Sequence, residues 1–177
     1  GRSIVFDLLG QLWLIPASGG VAQPITNAVR DTAEDSDPSF SPDGRKVVFQ
    51  GERNGRTGLW LLNLDSRTPH QLTQLSNPDG FDGNAAWSLD GRTIAFTQLV
   101  PPKSGNRPHR VIALIDASGQ NARELSIVGL QDVDVHDPAW VQGGREIAFV
   151  ASDFKPPRSS RVWIVPSSGG KATPITD

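Results

Sequence analysis

Apolar residues along this chain gather in short runs fenced by Gly, Pro, Asp and Ser. Brief β-branched and aromatic runs bounded by turn formers read as strands. Four of the runs open alike: Gly1-Arg2-Ser-Ile-Val-Phe6, Gly44-Arg45-Lys-Val-Val-Phe49, Gly91-Arg92-Thr-Ile-Ala-Phe96 and Gly144-Arg145-Glu-Ile-Ala-Phe149. The Gly-to-Phe spacing is always 5, whereas the Gly-to-Gly intervals are 43, 47 and 53. A fixed phrase on a period of this size marks a repeat architecture.

The second copy is complete and sets the pattern. Asp37 to Ser41 is a short extended run. Pro42-Asp43-Gly44 is a turn in which Pro presets φ and Gly takes φ > 0. Lys46 to Gln50 has the content of a strand buried on both faces. Glu52 to Gly58 is polar and Gly-rich, which predicts a loop. Leu59 to Leu64 is a third strand, Asp65 to Thr68 a turn, and His70 to Thr73 a short outer strand.

The first strand recurs at Asn84 to Ser88 and Asp137 to Val141. The third recurs at Leu12, Val111 and Val162, and the outer one at Gln23, Arg123 and Thr173. Pro24 and Pro174 suit an outer edge, where a missing N–H leaves no partner unpaired. The first copy begins at its second strand, so the chain supplies 15 strands and is expected to be part of a longer protein. Four-stranded antiparallel units at this period predict an all-β fold, a β-propeller with four blades in this chain. The blades span approximately 1–27, 35–74, 82–127 and 135–177, the first lacking its innermost strand. All five Trp fall on first or third strands, where they pack between neighbouring blades.

The run Asp37-Pro-Ser-Phe-Ser-Pro-Asp-Gly-Arg-Lys-Val-Val-Phe49, with counterparts at Trp87 and Trp140, resembles the PD40 or WD40-like repeat of TolB-type propellers. The resemblance covers essentially the whole chain. Similar repeats occur in tricorn-like and dipeptidyl-peptidase-like propellers, and Phe6 to Gly20 resembles TolB-like segments attached to amidohydrolases. The Gly-His and Trp-Asp signatures of true WD40 blades are absent. The family resemblance implies a periplasmic or extracellular scaffold that binds a protein or peptide without catalysis. TolB-type propellers generally have more than four blades, and an arc of four exposes apolar flanks that associate. The expectation is a segment of a larger propeller, or a homodimer completing an eight-bladed ring.

Composition narrows the chemistry. Across 177 residues the net charge of −2 argues against a nucleic-acid groove. No apolar stretch approaches the roughly 18 residues of a membrane span. The absence of Cys excludes disulfides and thiolate metal sites. No nucleophile elbow, dinucleotide fingerprint, Walker loop or His-Glu-x-x-His motif occurs, so no catalytic residue is assigned and no enzyme is expected.

Strand alternation puts the second-to-third loops and the blade-to-blade links at one end, and nearly all length variation falls there. Variable loops on a rigid frame carry function. Arg53, Arg56, Lys103, Arg107, His109, Lys155 and Arg158 are therefore candidate binding residues of a basic rim, facing acidic links on the inner side. Asp37, Asn84 and Asp137 each stand seven residues before a Gly-Arg, with His136 beside the last. These four are candidates for the channel mouth, where they would bind a cation or a partner's basic group. Oxygen-only ligands would suit Ca²⁺, although no metal site or other cofactor is assigned. The plainer reading of the three equivalent positions is a side chain capping its own turn. The alternative function is an accessory propeller that gates or positions substrate for a larger hydrolase.

Overall fold

Short antiparallel strands build the chain as two compact units, Gly1–Ala85 and Ala86–Asp177. The computed structural model describes residues 1–26, 34–53, 55–73, 81–101, 107–130, 133–154, 157 and 159–176. The first sheet runs β1 (Ser3–Leu8), β2 (Gln11–Pro16), β3 (Gln23–Pro24). The second runs β4 (Glu34–Phe40), β5 (Lys46–Arg53), β6 (Arg56–Asn63), β7 (Pro69–Gln71). The third runs β8 (Asp82–Trp87), β9 (Thr93–Val100), β10 (His109–Asp116), β11 (Arg123–Glu124), with β8 beginning in the first unit. After the short β12 (Ile127–Val128), the fourth runs β13 (Val133–Val141), β14 (Glu146–Asp153), β15 (Ser160–Pro166) and β17 (Thr173–Pro174). Between the last two, β16 (Gly170–Lys171) pairs in parallel with β12.

The repeat phrase explains the register. Its Phe lies opposite the third-strand aromatic in three sheets, as Phe6↔Trp13, Phe49↔Trp60 and Phe149↔Trp163. Such cross-strand pairs are the unit of sheet stabilisation. The outer strand is clasped by its apolar residue: Ile25, Leu72, Leu125 and Ile175 each donate an N–H to the third strand, at Leu12, Leu59, Ile112 and Val162. In three sheets a Thr hydroxyl then accepts the third strand's own N–H, Thr26 from Leu12, Thr73 from Leu59 and Thr176 from Val162, at 2.9–3.0 Å.

The turns before β5 and β9 are built alike. The Ser41 hydroxyl donates to Asp43 Oδ1 at 2.6 Å, and the Ser88 hydroxyl to Asp90 Oδ1 at 2.7 Å. Each Ser oxygen also accepts the N–H five residues on, from Lys46 or Thr93. Gly44 and Gly91 both take φ +69, as the Pro-Asp-Gly reading requires. Before β14 the same place is a 3₁₀ turn, Gln142–Gly144, with φ positive at all three residues.

One expected loop is a hairpin. Glu52 to Gly58 is not irregular: β5 and β6 stay paired to Arg53↔Arg56, leaving two residues to connect them. The connecting pair is Asn-Gly, with Gly55 at φ +72, and such pairs favour tight hairpins because both positions tolerate φ > 0. Polarity suggested a loop where turn chemistry decided for a hairpin. Leu9 (φ 52) and Gly10 (φ 73) close β1 onto β2 in the same manner.

Each unit has its own core. Leu12, Ile25, Val47, Phe49 and Leu62 are buried together in the first. Ala95, Ile112, Leu125, Ile147, Phe149 and Val165 anchor the second.

Candidate binding surface

The three equivalent positions share one backbone state. Asp37, Asn84 and Asp137 have φ +49, +50 and +52, the left-handed region that Asn and Asp tolerate better than other side chains. In β4 and β13 this residue sits at a β-bulge, where the register slips between Ser36 and Ser39 and between His136 and Ala139. Acid and amide residues therefore recur here for a backbone reason, and the turns that follow are tied by Ser41 with Asp43 and Ser88 with Asp90. Asp37 and Asp137 are exposed and Asn84 is half-buried. Among the described residues no group of three or more His, Asp or Glu is placed to hold a metal ion.

Loop-end arginines are tied to inner-strand acids within each unit, which modifies the expected segregation of charge. In the first, Arg53 Nη1 lies 2.8 Å from Oδ1 of the buried Asp35, and its guanidinium stacks 4.7 Å from the Trp60 ring centroid. Arg53 Nη1 directs its hydrogen to the Glu52 carbonyl at 2.9 Å. Asp35 Oδ1 thus has a counter-charge but no directed hydrogen bond. In the second unit the Arg110 backbone N–H and guanidinium donate to the two oxygens of Asp134, each at 2.8 Å. Arg107 lies over Phe154 at 4.7 Å. Arg56 is exposed beside the Asn-Gly turn. Lys103, Lys155 and Arg158 lie outside the described residues.

His136 has partners that one-dimensional spacing did not show. Its Nδ1 lies 2.9 Å from Asp137 Oδ2 and its Nε2 3.4 Å from Ser152 Oγ, which is 2.8 Å from Ser160 Oγ. Ser152 comes from β14, next to β13, and falls on the face of His136 because strand residues two apart share a face. The order Asp-His-Ser suggests a nucleophile, but the geometry is poor for one. The Asp137 side chain is 56% exposed, whereas the acid that orients a catalytic His is buried. The 3.4 Å separation is also long for a hydrogen bond. The chain of contacts pins β13 to β14 and β15.

The loop end of the second unit holds a small recess of about 150 Å³, lined by both aliphatic and polar groups. Val111, Ile112, Leu125 and Val135 are its buried members, Ile127, Leu130 and Val133 line it further, and His109, Arg110 and Glu124 supply polar groups. Leu130 and Val133 also wall a neighbouring recess of about 290 Å³, together with Asp153, Arg161 and Trp163. Of the sequence candidates, His109 is the one in the first recess. Leu130 and Val133 were missed, although Ile127-Val-Gly-Leu130 is an apolar run where the earlier links read Asn27-Ala-Val-Arg30 and Gln74-Leu-Ser-Asn77.

No protein-family model matches the chain. Over 74 residues, 41% of the chain and 16% of the relative, it is 32% identical to the Tol-Pal system protein TolB of Alcanivorax borkumensis. Over 153 residues, 84% of the chain and 48% of the relative, it is 25% identical to an uncharacterised protein of Agrobacterium fabrum. The chain thus spans less than half the length of these curated relatives. In fold it is similar to a structure assigned to a TolB of Agrobacterium tumefaciens, with a TM-score of 0.77 and 21% identity over 99% of this chain and 60% of the other. TolB from Acinetobacter baumannii gives a TM-score of 0.72 and 22% identity over 99% of this chain and 41% of the other. Enzymes share the fold as well. An oligogalacturonate lyase matches with a TM-score of 0.68 and 14% identity over 94% of this chain and 46% of its own, and the tricorn protease with 0.62 and 12% over 93% and 16%. No helix among the described residues is long and apolar enough to cross a membrane. In sequence and in fold the chain is TolB-like.

Proposed function

We propose that the chain is a non-catalytic propeller scaffold, its four sheets serving as blades, that binds a protein or peptide partner at the loop end. The observation that carries this reading is the recess beneath His109 and Arg110. At about 150 Å³ it is smaller than the roughly 300–1,000 Å³ of a small-molecule site. It suits one aliphatic side chain of a partner. Aliphatic side chains beside polar groups in one recess give a partner both an apolar contact and hydrogen-bonding groups. The relatives' name supports the same reading, since they are parts of a Tol-Pal system. A periplasmic or extracellular location goes with this proposal.

The test is partner capture on the immobilised chain, first with Tol-Pal components. Leu130→Asp puts a charge into both recesses and should weaken capture at least tenfold, while Lys171→Ala, an exposed residue that lines neither recess, leaves it unchanged. Unaltered capture by a folded Leu130→Asp protein would sink the choice of surface. The second reading, a propeller accessory to a hydrolase, is favoured by the lyase and protease likenesses. A hydrolase domain encoded in the same polypeptide would decide for it.

A further inference from the structure

We infer that the second unit carries a further binding site, a recess at its tight-turn end that takes a neutral saccharide of one or two rings. In the third sheet this end lies around Thr93 and Asp116, whereas Val100 and His109 mark the loop end. The recess has a volume of about 320 Å³, at the small end of the roughly 300–1,000 Å³ of small-molecule sites. Asp90 and Thr93 come to it from the turn into β9 and Arg123 from β11, while Trp140, Gly143 and Ser167 belong to the fourth sheet and its turns. Both sheets that wall it have four strands.

The fourth-sheet wall departs from its repeat. In the first unit the corresponding crevice is lined by Phe40, Asp43 and Leu64 of the second sheet. Counted from the repeat phrase and from the third-strand Trp, the fourth sheet has Trp140, Gly143 and Ser167 at those positions. Open backbone and a hydroxyl thus replace a carboxylate and an aliphatic side chain. A Cβ placed at Gly143 or Gly144 would meet nothing within 4 Å.

The polar groups are held in place without being used up. Asp90 Oδ1 accepts the Ser88 hydroxyl at 2.7 Å and the Arg92 N–H at 3.1 Å, so Oδ2 still offers lone pairs. Arg123 Nη2 reaches the Ser167 carbonyl only at 3.4 Å, beyond the usual N–H···O range. Asp90 and Arg123 line one recess, yet neither belongs to an ion pair among the described residues. Trp140 Nε1 donates to the Ala86 carbonyl at 3.0 Å, which leaves the ring's carbon surface for a ligand. Leu89, 70% exposed where the second sheet has Pro42, adds aliphatic surface.

This lining selects by exclusion. A simple anion would meet Asp90 and a simple cation Arg123, each a like charge. A wholly apolar ligand would strip water from both and return no hydrogen bond. Saccharide hydroxyls both donate and accept, so one ring accepts from the guanidinium and donates to the carboxylate. Its C–H face covers the carbon surface of Trp140 and Leu89.

Titration with cellobiose, maltose and chitobiose, followed by ¹H–¹⁵N NMR, tests the inference. At least one should shift the Gly143 and Gly144 amides and the Trp140 indole N–H, with a Kd of about 1 mM or tighter. Arg123→Ala and Asp90→Asn should each weaken that binding about tenfold. Gly143→Asn puts a side chain into the recess at φ +68, which Asn tolerates, and should abolish the shifts while the protein stays folded. No shift from any of the three sugars at about 50 mM overturns the inference. So do shifts that persist unchanged in Gly143→Asn. Equal shifts of the same signals by phosphate or by glycine would mark a site for charge and overturn it as well.

Discussion

The two units anchor a loop-end arginine to an inner-strand acid by different means. In the first, Arg53 meets an almost fully buried Asp35 and stacks on Trp60. In the second, Arg110 meets Asp134 through backbone and side chain together, with the arginine 43% exposed. The first arrangement depends on charge compensation in a low-dielectric site. The second is a charge-assisted hydrogen-bond pair beside water, where screening takes most of the Coulomb energy. The same task therefore carries different stakes in the two units. Arg53→Ala strands a buried carboxylate and should cost about 3 kcal/mol or more in urea unfolding. Arg110→Ala should cost about 1 kcal/mol or less. Equal losses would show that burial does not set the difference. Arg53→Ala with Asp35→Asn should recover part of the loss, because the stranded charge is then gone.

The clasp on the outer strand separates the second sheet from the third, by a smaller amount. Thr73 Oγ1 accepts the buried Leu59 N–H at 2.9 Å. Thr73→Val keeps the shape and removes the acceptor, so it should cost about 1–2 kcal/mol. In the third sheet the corresponding residue is Ser126, whose carbonyl instead accepts the Gly170 N–H at 2.9 Å, beside the β12–β16 pair. Its side chain is exposed, so Ser126→Ala should change stability by about 0.5 kcal/mol or less. A large loss at Ser126 would mean that the hydroxyl serves there as well.

Most of the strand frame was legible because one phrase fixed it. Gly-Arg, one polar residue, two apolar residues and Phe locate every second strand, and the flanking turns locate the rest. The Glu52–Gly58 hairpin was misread because polarity was weighed above the Asn-Gly pair, whose φ preference decides the connection. The parallel β12–β16 pair has no signal of its own, since two residues at each end are too few to show a period. At the candidate surface, sequence exposed the charges but not their partners. Arg53 and Asp35, 18 residues apart, meet through the β4–β5 register, and Arg110 and Asp134, 24 apart, meet through the packing of the third sheet beside the fourth. Spacing selected Asp37, Asn84 and Asp137 as equivalent. Their common property is a left-handed backbone, which residue type hints at and spacing alone does not.

The smallest difference to test lies at the turns and is set by acid. Hydrogen bonds from the Ser41 hydroxyl and the Arg45 N–H hold the Asp43 carboxyl below its ordinary value of 3.8. The Ser88 hydroxyl and the Arg92 N–H do the same for Asp90. A carboxylate lowered in the folded state adds its full stability above the unfolded value, and that contribution fades as pH falls through the lower folded value. Both turns should therefore weaken only below about pH 4. The fourth sheet's turn, Val141-Gln-Gly-Gly144, carries no carboxylate and has no such dependence. Asp43→Asn and Asp90→Asn should each lower the melting temperature slightly near neutrality and leave it unchanged in strong acid, which flattens the acid limb. Because both carboxylates are solvent-facing, the gain from each is small. An acid limb as steep in the double variant as in the parent would place the acid sensitivity outside these two turns.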